Sequence, residues 1–115
     1  MLTGKAKIHF EVWAKQHPDI NYRADSGVLQ VGNAFFPEWP NCVRQAFVLE
    51  WLDSVEIYVS VIPVVRAAEY FFFSEVTYRW YRGIETWSSR RFTTRESATE
   101  AAIKQAIAIY NGKGG

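Results

Sequence analysis

The sequence predicts an α+β domain: a three-stranded antiparallel meander covered by helices, in the order helix, short strand or loop, helix, three strands, helix. Three observations predict it. Period-2 alternation dominates the stretch from Val55 to Phe92. Helical patterns with start or stop signals lie on both sides of that stretch. The connections between the strand segments are too short for crossover helices, which makes the sheet a meander. With 115 residues, 49% hydrophobic and 22% charged, the chain has apolar surface for one core and no room for a second domain. The domain is expected over residues 1–111, with 112–115 as a flexible tail.

The first segment admits two periods. Ile8, Phe10 and Val12 alternate with His9 and Glu11 as in a strand, whereas Leu2, Ala6, Phe10, Trp13 and Ala14 follow helical spacing. The helix is preferred, with Thr3 as its cap and Pro18 stopping it by excluding the α conformation at His17. From Asp19 to Trp39 no period lasts, but Asp25-Ser26-Gly27 and Gly32-Asn33 mark turns around Val28 to Val31, which reads as a short edge strand. Some local order is expected there, because twenty structureless residues are unusual inside a compact domain.

A second helix is predicted from Pro40 or Asn41 to about Asp53. Val43, Ala46, Phe47, Val48, Leu49, Trp51 and Leu52 cover most of its circumference, so it should lie between the sheet and the first helix. Cys42 falls in this apolar stretch, where a small buried thiol packs well, and a single cysteine makes no internal disulfide.

Val55 to Val65 then places Ile57, Val59 and Val61 on one face, with Pro63 ending the strand or marking a sheet edge. Tyr70 to Arg82 is the longest strand, Gly83 supplies a turn, and Glu85 to Phe92 returns. Phe71-Phe72-Phe73 points rings to both faces, so one face needs a second cover, from the second helix or from another subunit. The last helix opens on a Thr93/Glu96 capping box and closes at Asn111-Gly112. Its arc of Ala98, Ala102, Ile103, Ala106, Ile109 and Tyr110 allows close approach to an aromatic sheet.

The net charge of +1 excludes a polycation built for nucleic acid. No run reaches the ~20 apolar residues of a membrane span, and Met1 to His17 lacks the uninterrupted apolar core of a signal peptide. A reducing, cytoplasmic setting is expected. Charge is nevertheless segregated. Between residues 79 and 95 stand five arginines and the single acid Glu85, a local +4 against −3 for the rest. Arg79, Tyr81, Arg82, Trp87, Arg90, Arg91 and Arg95 are the candidate binding surface. Arginine interleaved with aromatic rings suits an anionic protein partner, or phosphate contact with base stacking. The bland reading is solvated arginine stacked on aromatic rings.

Catalytic patterns are absent. His9 and His17 have no second ligand at a metal-binding spacing, and neither a glycine-rich phosphate loop nor a nucleophile elbow occurs. No metal or cofactor is expected. His17-Pro18-Asp19 resembles the signature loop of J-domain co-chaperones, but no helix precedes this one to form the antiparallel pair, and Pro18 reads as a helix stop. The order helix, three antiparallel strands, helix from Asn41 to Asn111 resembles a double-stranded RNA binding domain. That likeness implies a histidine in the first strand connection and lysines opening the final helix. Here the connection is Val65-Arg66-Ala67-Ala68 and the helix opens Arg95-Glu96-Ser97-Ala98-Thr99-Glu100. Leu2-Thr3-Gly4-Lys5-Ala6-Lys7, Leu49 to Val55 and Ser97-Ala98-Thr99-Glu100-Ala101-Ala102 resemble small uncharacterised proteins of gut-bacterial phages and integrated mobile elements, a likeness that implies no activity and no site residues.

The sequence therefore predicts a non-catalytic binding protein acting through protein contacts or self-association as a homo-oligomer. Nucleic-acid binding through the 79–95 surface is the alternative, and a small enzyme of unknown class a second one.

Overall fold

The structure, a computed structural model, describes residues 2–81 and 83–112. Helix α1 (Gly4–Lys15) leads into three short strands, β1 (Asn21–Arg23), β2 (Val28–Val31) and β3 (Ala34–Phe35). Helix α2 (Asn41–Ser54) is followed by β4 (Ile57–Arg66), β5 (Glu69–Trp80) and β6 (Gly83–Ser88), and α3 (Arg95–Gly112) ends the fold. The α+β class and the order of elements are as the sequence predicts. Gly112 belongs to α3 rather than to a tail, and residues 113–115 lie outside the described residues.

Residues 3–16 settle as a helix because Ala6, Phe10 and Ala14, four apart, are all fully buried. Thr3 is the cap residue, but its side chain makes no capping bond. Asn111 at the far end of the chain does that work, its Oδ1 accepting from Ala6 N–H at 2.9 Å and its Nδ2 donating to Thr3 O at 3.0 Å. Asn111 thus ties the last helix to the first instead of closing its own.

The 19–39 stretch is a small antiparallel sheet in which Val28–Val31 is the middle strand, not an edge. Gly32, at φ +58, opens the two-residue turn that pairs Val31 with Ala34, a position where a Cβ is disfavoured. Leu29 turns inward and joins Ile20 and Trp39 in the core, all nearly fully buried. Arg44 fixes the following loop, donating from Nη2 to Pro37 O (3.2 Å) and Trp39 O (3.3 Å).

Helix α2 is less completely buried than its composition suggests: Val48, Trp51 and Leu52 are enclosed, while Ala46 and Cys42 face outward. Cys42 is exposed because it lies half a turn around the helix from Trp51. In α3 the buried arc is Ala98, Thr99, Ala102, Ile103, Ala106 and Ile107. Its cap is Thr94 rather than Thr93: Ser97 N–H donates to Thr94 Oγ1 at 3.1 Å. Glu96, freed from that role, accepts from Asn41 Nδ2 at 2.6 Å and joins the starts of α2 and α3.

The large sheet runs β4-β5-β6, antiparallel throughout. Pro63 lies on edge strand β4 opposite Phe72, whose own N–H and C=O are exchanged with Phe92 on the far side. Pro63 therefore turns its backbone nitrogen to the free edge, where the missing donor removes a point of attachment for a stray strand. Tyr81 lies in the turn after β5, and Gly83, expected in that turn, pairs with Trp80 as the first residue of β6. The return strand also ends early. Ser74 N–H is taken by Ser89 Oγ at 2.8 Å, and pairing resumes at Phe92, which exchanges bonds of 2.7 and 2.8 Å with Phe72. Arg90 and Arg91 consequently stand opposite the single residue Phe73, as in a bulge.

The β4–β5 turn consists of Ala67 and Ala68, at φ +49 and +66, between the paired Arg66 and Glu69. This left-handed pair is the geometry that Asn-Gly adopts most readily. Ala67→Asn with Ala68→Gly is expected to stabilise the protein by about 1 kcal/mol. Urea unfolding should show a higher midpoint with an unchanged slope.

Candidate functional site

The two faces of the large sheet differ sharply. Cross-strand partners share a face, so Ile57, Val59 and Val61 lie with Tyr78, Val76 and Ser74, and Trp87 joins them from β6. This is the helix-covered face. Ile57 and Val76 are in the core, Val59, Tyr78 and Trp87 pack at its margin, and the alanine arc of α3 sits against β4 and β5. The opposite face carries Tyr58, Ser60, Ile62, Val64 and Arg66 from β4, and Glu69, Phe71, Phe73, Glu75, Thr77 and Arg79 from β5. Ile84, Thr86 and Ser88 complete it from β6. None of its apolar side chains packs against the core. Tyr58 is 50% exposed and Ile84 71%, while Ile62, Val64, Phe71 and Phe73 shield one another to partial burial. The cover that the triple phenylalanine requires is not supplied by α2, which packs on the other side.

The arginine surface predicted over 79–95 is divided. Arg79 lies on the helix-free face beside Ile84, and exposed Tyr81 sits in the adjoining turn. Arg82 is outside the described residues. Trp87 faces the helices, half-buried against the core. Arg90, Arg91 and Arg95 lie beyond the other end of β6, about 20 Å away at the usual strand rise. Two of these stack on rings, with the Arg90 guanidinium 4.8 Å from the Phe92 ring centre and that of Arg95 5.2 Å from Phe72. Each covers an aromatic ring on a wet surface, the bland role weighed for them.

Both histidines tie helices together. His17 lies between the rings of Trp13 and Phe47, each with its centroid 5.0 Å away. Its Nδ1 accepts from Asp19 N–H at 3.0 Å and its Nε2 donates to Glu50 Oε1 at 2.9 Å. With both nitrogens engaged, the ring pins the end of α1 to α2, and His17-Pro18-Asp19 is an internal joint rather than a free loop. Burial raises the phenol of Tyr110 above its ordinary value, so at neutral pH it is a hydroxyl, hydrogen-bonded with His9 Nδ1. Among the described residues no group of three or more His, Cys, Asp or Glu side chains is placed to hold a metal ion. Nor is any helix among them long and apolar enough to cross a membrane.

What sequence reasoning missed on the helix-free face is its charge pattern. A shallow depression at one end is lined by Glu56, Tyr58, Thr77, Tyr78, Arg79 and Ile84. Arg66 and Glu69 stand at the other end. The period-2 pattern of β4 and β5 contains this information, but only the register set by the Ala67-Ala68 turn aligns the two strands.

No protein-family model matches the chain, and neither a curated protein nor a solved structure matches it.

Proposed function

We propose that this chain is a non-catalytic, cytoplasmic binding protein whose contact surface is the helix-free face of the β4-β5-β6 sheet. The observation that carries this reading is a cluster of four large apolar side chains, Ile62, Val64, Phe71 and Phe73, on a sheet face that no helix covers and that lies outside the core. Apolar surface gathered on one face and rimmed by charge is the composition of protein contact sites. The division of the arginines, and the stacking of Arg90 and Arg95 on phenylalanine, favour protein contact over the nucleic-acid alternative, which needs a continuous basic track.

The test uses an apolar dye, anilinonaphthalene sulfonate, at sub-micromolar protein. The native chain should bind it with enhanced fluorescence. The triple variant Val64→Thr, Phe71→Thr, Phe73→Thr keeps strand-forming residues, and should lose most of that enhancement with a thermal midpoint lowered by no more than about 5 °C. A midpoint drop of more than about 10 °C would show that these rings hold the fold rather than a partner. Unchanged dye binding would place the available surface elsewhere.

A further inference from the structure

Resting on that reading, we infer that the occupant of the helix-free face is a second copy of this chain, packed face to face with its strands antiparallel to the first. Shape is the first support. The molecule measures 54 × 37 × 20 Å, and 20 Å is the thickness of two layers at the usual spacing of about 10 Å per layer. Its radius of gyration is 15.5 Å, against about 13 Å for a compact chain of this length. A second copy on the open face would complete a four-layer sandwich of helices, sheet, sheet and helices.

Charge decides the orientation. Along the open face, β4 is preceded by Glu56 and ends at Arg66, while β5 begins at Glu69 and carries Arg79 near its end; the register sets Arg66 beside Glu69, and Glu56 and Arg79 line one depression at the other end. Among the described residues, none of these four makes an ion pair within the chain. A two-fold axis across the strands, midway along this face, lays Glu69 over the partner's Arg79 and Arg66 over the partner's Glu56. The same operation seats Val64 and Phe71 over the partner's Tyr58 and Thr77, which line the depression. Parallel stacking instead sets Glu69, Glu75 and Arg79 each over its own copy. Sliding the antiparallel sheets until Phe71 lies over the partner's Phe73 sets Glu69 over the partner's Glu75. Like charges facing each other across an interface cost several kcal/mol, and among the aligned antiparallel registers only the centred one sets all four corner charges opposite charges of the other sign.

Strands of ten, twelve and six residues offer a flat footprint of roughly 440 Å², enlarged by side-chain relief. This is at the low end for a stable pair, so the dimer should dissociate on dilution. In this register Glu75 lies over the partner's Phe73 without a cation.

Sedimentation velocity across a concentration series tests the arrangement, with thermal melts confirming that each variant is folded. Glu69→Arg alone and Arg79→Glu alone are each expected to weaken dimerisation by about tenfold or more. The double variant restores it to within about threefold of the native chain, because each new cation meets a new anion. Glu75→Gln should tighten the dimer, and a weaker dimer counts against the register. Single variants without effect, or a double variant that does not recover, overturn the antiparallel arrangement. A native chain that stays monomeric at every concentration while the dye result holds overturns the second copy and leaves the contact surface standing. Loss of the dye result removes the surface itself.

Discussion

Trp51→Ala is expected to remove about 3–5 kcal/mol of folding stability, the range for deleting a large aromatic side chain from a core that cannot collapse around the gap. Trp51 is 2% exposed and stands where the three helices meet. Its ring meets Phe10 edge-on with centroids 5.9 Å apart and Tyr110 at 4.9 Å. Phe10 extends the cluster to Trp13 and Phe36, and Phe36 to Trp39. Truncating the indole therefore withdraws support from α1, α3 and the small sheet together. Single domains are held by about 5–15 kcal/mol in all, so the variant should be close to unfolded at 37 °C. Trp80→Ala is the matched control. Its ring is half-buried at the sheet end, edge-on to Tyr78 and Tyr81, and its loss should cost about 1 kcal/mol. Urea unfolding followed by far-ultraviolet circular dichroism compares the two, and equal losses would show that the core is not centred on Trp51.

The difference between these two tryptophans was only partly legible in the sequence. Long elements declare themselves: the sequence predicts α2 from Pro40 or Asn41 to Asp53 and it runs from Asn41 to Ser54, and of the two readings of Pro63, a strand end or a sheet edge, the edge holds while β4 continues to Arg66. Strands of two to four residues, such as β1 and β3, are too short to establish a period, so the small sheet was legible only through the turns around it. Thr93 and Thr94 are chemically equivalent caps. The choice falls to Thr94 because Glu96, the other half of the expected box, is drawn away by Asn41 of another helix. The contact face was legible as an alternation but not as a surface. Phe71 and Phe73 read as core candidates until it is known that the helices settle on the opposite side, where Ser74 and Val76 let the alanines of α3 approach. The four corner charges stayed hidden because Ala67 and Ala68 occupy a turn that residues with an ordinary turn preference would have advertised. The scattered arginines, by contrast, drew attention through proximity in sequence, which a strand of six residues then spread over opposite ends of the sheet.

Gly4 and Asn111 form the junction where the first and last helices close on each other, and Gly4→Ala is expected to destabilise the fold by about 2–3 kcal/mol. Gly4 adopts φ +57 at the start of α1, a left-handed conformation that costs any residue with a Cβ about 1–2 kcal/mol. A Cβ there would also come within 3.2–3.3 Å of the Asn111 amide. That contact is tight enough to push the amide from the position in which it accepts from Ala6 and donates to Thr3. Asn111→Ala alone should cost about 1–2 kcal/mol, since it leaves the first turn of α1 without its side-chain cap. The two losses share a cause and so should not add. In the double variant the backbone strain persists while the crowding disappears, and the combined loss should fall short of the sum by about 1 kcal/mol. Chemical denaturation of the four proteins measures this coupling. Strict additivity would mean that the amide and the glycine act separately, and that the join between the ends of the chain rests on apolar packing alone.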